Sequence, residues 1–238
     1  MFEPVPCPLI PACPLCAGQL EEGLAHEGYA WLPEPIAEVA LIHLEELLHA
    51  PQGFARRPLP LARMEAWLHG TPIPDAVRAL LGAEARPVRA FWLDKHEEEN
   101  WDIPWHQDTT FALADALEVP GFLGWHNKAH FYEAQAPGEL IARMVSTRLH
   151  LDDVGPAEGC LKVLPGSHQH GRLDPAEIAD RVATRPSLHV PAHRGSVLLM
   201  KPLLLHASDR AISPRRRRIL HLEWAAFDLP GGLRWAWF

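Results

Sequence analysis

The spacing of histidines and carboxylates is the first feature of this sequence with chemical content. Fifteen of its 238 residues are histidine. In Trp105-His106-Gln107-Asp108 an imidazole and a carboxylate stand two residues apart. An extended backbone turns both to one face, where they can hold a metal ion between them. The spacing alone selects nothing. His150-Leu151-Asp152 repeats it, and His43 with Glu45, His96 with Glu98 and His221 with Glu223 add three His-x-Glu pairs. A third ligand must come from elsewhere, and His206 is the best candidate because it follows the apolar run 196–205 just where the chain turns polar. Two histidines and one carboxylate leave three adjacent positions of a six-coordinate ion open, as in non-haem Fe(II) oxygenases, and open positions imply co-substrates.

Arg217 lies eleven residues after His206, beyond the turn signal Ser213-Pro214. A hairpin of that length returns its guanidinium to the metal's side, where it can grip a dicarboxylate end-on, and Ser208 can add a hydroxyl. Residues 215–218 are four consecutive arginines. Such runs are usually solvated, but alternation in a strand turns Arg215 and Arg217 one way and Arg216 and Arg218 the other.

These side chains need strands to carry them. Apolar and turn patterns predict strands over 88–95, 144–152, 160–164, 196–205 and 216–227. Along 145–152, Ser146, Arg148, His150 and Asp152 share one face, and Val145, Thr147, Leu149 and Leu151 the other. Along 217–224, Arg217, Ile219, His221 and Glu223 oppose Arg218, Leu220, Leu222 and Trp224. Helices are predicted over 36–48, 61–68 and 75–81, the last two ended by Gly70 and Gly82. Helices that precede strands can cover the apolar outer faces and leave the polar faces to line a barrel mouth. The expected fold is therefore mainly β with flanking helices, a jelly-roll barrel with its N-terminal helices packed on the outer sheet.

Other positions bear on ligands. Arg148 can bind a second carboxylate or phosphate, serve the co-substrate, or pair with Asp152 or Glu223. The stretch 111–138, rich in large side chains, reads as a lid or as barrel wall. Trp125 and His150 are candidate substrate contacts. Lys95 is another, although a solvated strand-end lysine is the simpler reading.

Composition sets the limits. Apolar residues make up 47% of the chain and charged residues 22%, which suits one domain over 1–238 with a Pro- and Cys-rich tail at 1–18. The net charge is -8. No Lys or Arg precedes Arg56, while eight Glu do, so the remainder balances at 22 acidic against 22 basic residues. That distribution offers no basic face for nucleic acid, no polybasic membrane stretch and no transit or secretory signal, and the cytoplasm is the expected compartment. Cys7, Cys13 and Cys16, with His26, are the residues a zinc site in the tail would use, although a reduced tail is the plainer reading. Oligomeric state has no signature in the sequence.

With the motifs in place, the chain resembles the phytanoyl-CoA dioxygenase family of Fe(II)- and 2-oxoglutarate-dependent oxygenases. The resemblance runs through WHQD at 105–108, GCLKVLPGSH at 159–168, HASDRAISPRRR at 206–217 and a first segment at 22–33. It implies a cupin-like double-stranded β-helix with His106, Asp108 and His206 as iron ligands. Arg217 then holds the distal carboxylate of 2-oxoglutarate, with Ser208 assisting. It further implies O2 as co-substrate, succinate and CO2 as co-products, and hydroxylation of a small molecule. Related halogenases lack the carboxylate, so Asp108 favours hydroxylation. His168 orders a loop in this reading. Arg148 departs from the uncharged residue of many members, which brings the family's fatty acyl-CoA substrate into question. A cupin-like metal-binding protein without oxygenase activity and a zinc metallohydrolase are the alternatives.

Overall fold

The computed structural model describes residues 15–48, 56–128, 130–212 and 215–236. Cys7, Cys13 and the side chain of Cys16 lie outside the described part, as does the turn at 213–214. The elements run α1 (Leu15–His26), β1 (Tyr29–Trp31), α2 (Glu38–Leu48), β2 (Arg56–Pro58), α3 (Glu65–His69), α4 (Ile73–Leu81) and β3 (Arg86–Lys95). Next come β4 (Ile103–His106), β5 (Thr110–Leu113), β6 (Leu123–Asn127), β7 (Tyr132–Gln135), α5 (Gly138–Ile141), β8 (Val145–His150) and β9 (Leu161–Val163). The chain ends with α6 (Pro175–Thr184), β10 (Leu188–Val190), β11 (Val197–Met200), β12 (His206–Ser208) and β13 (Arg217–Ala225).

Six strands form the larger sheet in the order β1-β11-β8-β13-β3-β2, and four form the smaller, β10-β9-β12-β4. Every pairing within them is antiparallel. The two face each other across a cavity of about 200 Å³ lined from both sides. This is the jelly roll the sequence predicts. The alternation along β13 holds: Leu220, Leu222 and Trp224 enter the apolar core beneath the helices, while Arg217, His221 and Glu223 turn inward. That core is completed by Leu20 and Leu24 of α1, Leu41, Leu44 and Leu48 of α2, Trp67 of α3 and Val77 of α4. Burying these faces against the sheet supplies the main stabilisation of short helices that are marginal alone.

The structure also departs from the sequence reading. The run 196–205 holds one strand, β11, and ends as a strand at Met200, because Lys201-Pro202 interrupts it: proline has no N–H for a ladder. Leu203, Leu204 and Leu205 then enter three separate apolar clusters, and His206 opens a strand instead of closing one. β8 ends at His150, so Asp152 leaves the inner face and accepts the backbone N–H and guanidinium of Arg218. Residues 15–18 belong to α1, not to a tail. Of the two readings of 111–138, the wall is the one seen: its strands belong to a third sheet, β5-β7-β6, which contributes Thr110 and Glu133 to the cavity lining.

Arg194 ties α2 to the barrel, reaching Glu38 and Glu45 at 2.8 Å each, and Glu45 also meets Arg218 at 2.9 Å. These pairs are partly solvated and secondary to the packing. Leu44→Ala should lower unfolding free energy by ~2–5 kcal/mol, read as a reduced urea midpoint. Glu45→Ala should cost ~1 kcal/mol or less.

Candidate active site

Strand pairing assembles the first group. β12 lies antiparallel to β4 with His206 directly opposite His106, and the two rings stand 4.1 Å apart. Asp108 follows β4 and places its two carboxylate oxygens 3.7 Å from His106 Nε2 and 3.6 Å from His206 Nε2. Among the described residues these three form the group of His, Cys, Asp or Glu whose donor atoms lie close enough to share an ion, all within 4.8 Å of one another. Bond lengths of ~2 Å span that spacing.

Each imidazole is aimed by its own backbone. His106 Nδ1 lies 2.9 Å from the Pro104 carbonyl, and His206 Nδ1 2.8 Å from the Leu204 carbonyl. A carbonyl can only accept, which assigns the proton to Nδ1 and leaves the Nε2 lone pair facing the cluster. Burial, reinforced by His106, lowers the His206 pKa to about 3, so the ring is neutral as a ligand must be. Burial works to raise the Asp108 carboxyl, but the His206, His106 and His221 rings with Arg148 outweigh it and hold it well below the usual carboxylate range. Gln107 points the other way. It donates to Gly171 and Leu203 and accepts from the Leu173 N–H at 2.8 Å, while Asp108 N–H donates to Pro202 at 2.9 Å. The ligand segment is thereby pinned on its rear side, a role readable only from the strand alternation around it.

A second group lies at the far end of β12. Ser208 Oγ accepts from Lys95 Nζ at 2.8 Å and from Arg217 at 3.0 Å, and donates to the Gly159 carbonyl at 3.0 Å. Lys95 and Arg217 are fully buried, so the solvated strand-end reading of Lys95 is wrong: its ammonium sits under the barrel floor. Burial, Arg217 and Arg148 lower the Lys95 pKa to about 7, and burial with Arg148 lowers that of Arg217 to about 9. Among the described residues neither is within ion-pair distance of a carboxylate, and Arg217 Nε and Nη2 have no hydrogen-bond partner. Such orphaned donors fit an anion.

The remaining candidates divide. Arg148 lines the cavity with its guanidinium 3.4 Å from His221 Nδ1, while Asp152 is taken by Arg218. His150 is buried against Trp31, its Nδ1 3.2 Å from the Ser196 carbonyl, and is not in the cavity wall. Trp125 packs on Phe122 and is not in the wall either. His168 holds the Ala25 carbonyl at 3.2 Å, as a loop-ordering residue would. The wall also contains Arg89, Phe91, Thr110 and Glu133, which the sequence reading passed over. Arg89 and Phe91 had a usable signal, the inward period of β3; Thr110 and Glu133 had none.

A jelly roll with two imidazoles and one carboxylate at its mouth is the architecture of the non-haem Fe(II) oxygenases. Residues 61–219 match the phytanoyl-CoA dioxygenase (PhyH) family, and the chain belongs to it. Members of this family use Fe(II), with 2-oxoglutarate and O2 as co-substrates. Comparison with curated protein sequences gives no significant match. Among solved structures, AviO1 from Streptomyces viridochromogenes Tue57 is 22% identical, with a TM-score of 0.62, covering 92% of this chain and 98% of that one. EctD from S. alaskensis, solved with 2-oxoglutarate and 5-hydroxyectoine, is 18% identical over 87% of this chain and 75% of its own, with a TM-score of 0.65. SnoN, a non-heme alpha-ketoglutarate-dependent epimerase from nogalamycin biosynthesis, is 16% identical over 92% and 90%, with a TM-score of 0.63. These identities establish a shared fold. No helix among the described residues is long and apolar enough to cross a membrane.

The lowered pKa of Lys95 gives a signed expectation. Between about 7 and the ordinary 10.5 the unfolded chain holds a proton on Lys95 that the folded protein does not, so folding stability rises with pH over that window. Lys95→Met should flatten the rise relative to wild type in thermal unfolding of the ligand-free protein. Equal slopes would show that Lys95 stays charged when folded.

Proposed function

We propose that the protein is a non-haem Fe(II)- and 2-oxoglutarate-dependent dioxygenase that hydroxylates a small organic substrate. His106, Asp108 and His206 would hold the iron, and Arg217 with Ser208 and Lys95 would receive the distal carboxylate of 2-oxoglutarate, with Arg148 on the cavity side. One observation carries this reading: two buried cations share a single hydroxyl on the same short strand as His206, with no carboxylate paired to either among the described residues. Buried charges without counter-ions are costly, and a bound dicarboxylate supplies what is missing.

When bound, iron with 2-oxoglutarate and O2 supplies the oxidising chemistry, yielding succinate, CO2 and a hydroxylated substrate. The chain's own part is positional. The backbone carbonyls of Pro104 and Leu204 keep both Nε2 lone pairs presented, and Asp108 stays ionised as the third ligand. Its presence leaves no protein-vacated position for a halide, which favours hydroxylation. Arg217 neutralises the diacid. Leu93, Ile103, Leu161 and Ala207 supply the apolar part of the cavity wall. A cupin-like metal-binding protein or a zinc metallohydrolase would use the same three ligands but leave the Lys95–Arg217 pair without an anion.

Fe(II) and 2-oxoglutarate added without oxygen should produce a visible charge-transfer band, and its absence would refute the reading. Arg217→Ala should raise KM for 2-oxoglutarate by roughly tenfold or more, the value of one charge-assisted contact, with kcat less affected. Asp108→Ala should abolish iron binding, whereas His150→Ala and Asp152→Ala should leave it intact.

A further inference from the structure

Two cationic side chains at one hydroxyl impose a choice on the ligand-free protein. Lys95 Nζ donates to Ser208 Oγ and to the Asp209 carbonyl, at 2.8 Å each, and Arg217 donates to the same Oγ at 3.0 Å. The shared oxygen brings the two groups into close range, and neither side chain is exposed to water. Like charges held together away from water disfavour their own ionisation, so one of the two groups gives up its proton first. A guanidinium keeps its proton more firmly than an ammonium does, and the lysine is the group that yields.

The surroundings of Lys95 act in the same direction. Burial comes first, and Arg217 of β13 and Arg148 of β8 add repulsion. Two carboxylates favour the charged form, Asp102 before β4 and Asp209 after β12, but each has a cation of its own: Arg210 lies 3.3 Å from Asp102, and Lys162 lies 2.6 Å from Asp209. Their side chains are 60% and 58% exposed, where water screens what they offer a buried ammonium. The Trp101 ring, 5.3 Å from Nζ, adds a modest attraction for a cation. The balance leaves Lys95 at about 7 and Arg217 at about 9. The nearby Cys160 thiol is pushed by burial up to about 11, and the His206 and His221 rings are lowered to about 3, so these groups keep one form across the neutral range.

We propose, resting on the oxygenase reading, that 2-oxoglutarate binds together with a proton: the Lys95 amine of the ligand-free protein becomes an ammonium as the distal carboxylate reaches Ser208. The proton comes from solvent and goes to Nζ, and no covalent bond to carbon changes. Ser208 lines the cavity and holds both cationic side chains, so a carboxylate at its hydroxyl offsets the repulsion between Lys95 and Arg217. Lys95 is thereby a specificity residue for the co-substrate. A keto acid without a second carboxylate brings no charge that would hold the added proton. The sign of the pH dependence follows from linkage. Binding raises the lysine's proton affinity, so the diacid binds best below the ligand-free pKa and progressively less well as pH rises above it.

The test uses protein loaded with Fe(II) without oxygen, titrated through the charge-transfer band with 2-oxoglutarate and with 2-oxopentanoate. The second keto acid offers the metal the same keto and carboxylate oxygens but ends in a methyl group, so the ratio of the two affinities cancels any titration of the iron site itself. That ratio should fall by about tenfold or more between about pH 6.5 and about pH 8.5. Calorimetry in buffers of different ionisation heat should count about one more proton taken up with 2-oxoglutarate than with 2-oxopentanoate at the upper pH. In Lys95→Met, with the 2-oxopentanoate band as evidence of an intact iron site, both the fall and the extra proton should vanish. A ratio that does not change with pH, equal proton uptake with the two keto acids, or an extra proton that persists in Lys95→Met overturns the proposal. The wild-type ratio and proton count decide it without the variant. Failure of either keto acid to produce the band instead overturns the oxygenase reading beneath it.

Discussion

The site depends on the register of a three-residue strand. β12 is hydrogen-bonded on both sides, with His206 opposite His106 on β4 and opposite Val163 on β9. A slip of one residue would turn both His206 and Ser208 out of the cavity, since side chains alternate with period two. So short a strand cannot fix its own register by pairing alone. The approach does it: Ser167 Oγ accepts the Leu205 N–H at 2.8 Å, the Leu205 carbonyl accepts from Leu164, and the three preceding leucines are buried in three clusters. Shifting the strand would withdraw all three at once, at ~2–5 kcal/mol for each large side chain lost from a core.

The paired strands β3 and β13 join two electrostatic regimes. At one end lie Lys95 and Arg217, both buried and sharing the Ser208 hydroxyl; at the other, Arg89 meets Glu133 and Glu223. Between them, two imidazoles flank an ionised carboxylate. A barrel interior that simply maximised stability would be filled with apolar side chains, as the helix-covered face of the same sheet is. The inner face is instead polar where it lines the cavity, with Arg89, Arg148, His221 and Glu223 among its residues.

How far this was legible in sequence depends on whether the signal was local. The faces of β13 and the helices over 36–48 and 75–81 follow from period alone, and both survive in the structure. Choosing His106 and Asp108 over His150 and Asp152 did not follow from spacing, since the two pairs are equivalent on paper. It is decided by where β8 ends and by Arg218, sixty-six residues away in the chain, taking Asp152. Lys95 was misread because a strand-end lysine is normally solvated, and only the tertiary position of Ser208 covers it. The helix α6 was missed despite a clear local signal, Asp174 and Glu177 forming a capping box around Pro175. Glu133 had no such signal. It reaches Arg89 from a separate sheet, a contact forty-four residues apart that no period encodes.

The glycine of the GCL segment shows how a motif without chemistry can govern chemistry. Gly159 has a φ of +65°, and a Cβ there would lie 2.3 Å from the Asp209 carbonyl oxygen, so only glycine permits the approach. That proximity lets its own carbonyl accept from both Ser208 and Arg217. It also leaves the Asp209 carbonyl free to receive Lys95 at 2.8 Å. One missing methyl group therefore locks the end of β12, the start of β13 and the end of β3 together. Lys95 and Arg217 inherit their spacing from that backbone contact. The segment belongs to the site as its scaffold, which is why its residues carry neither a ligand atom nor a charge.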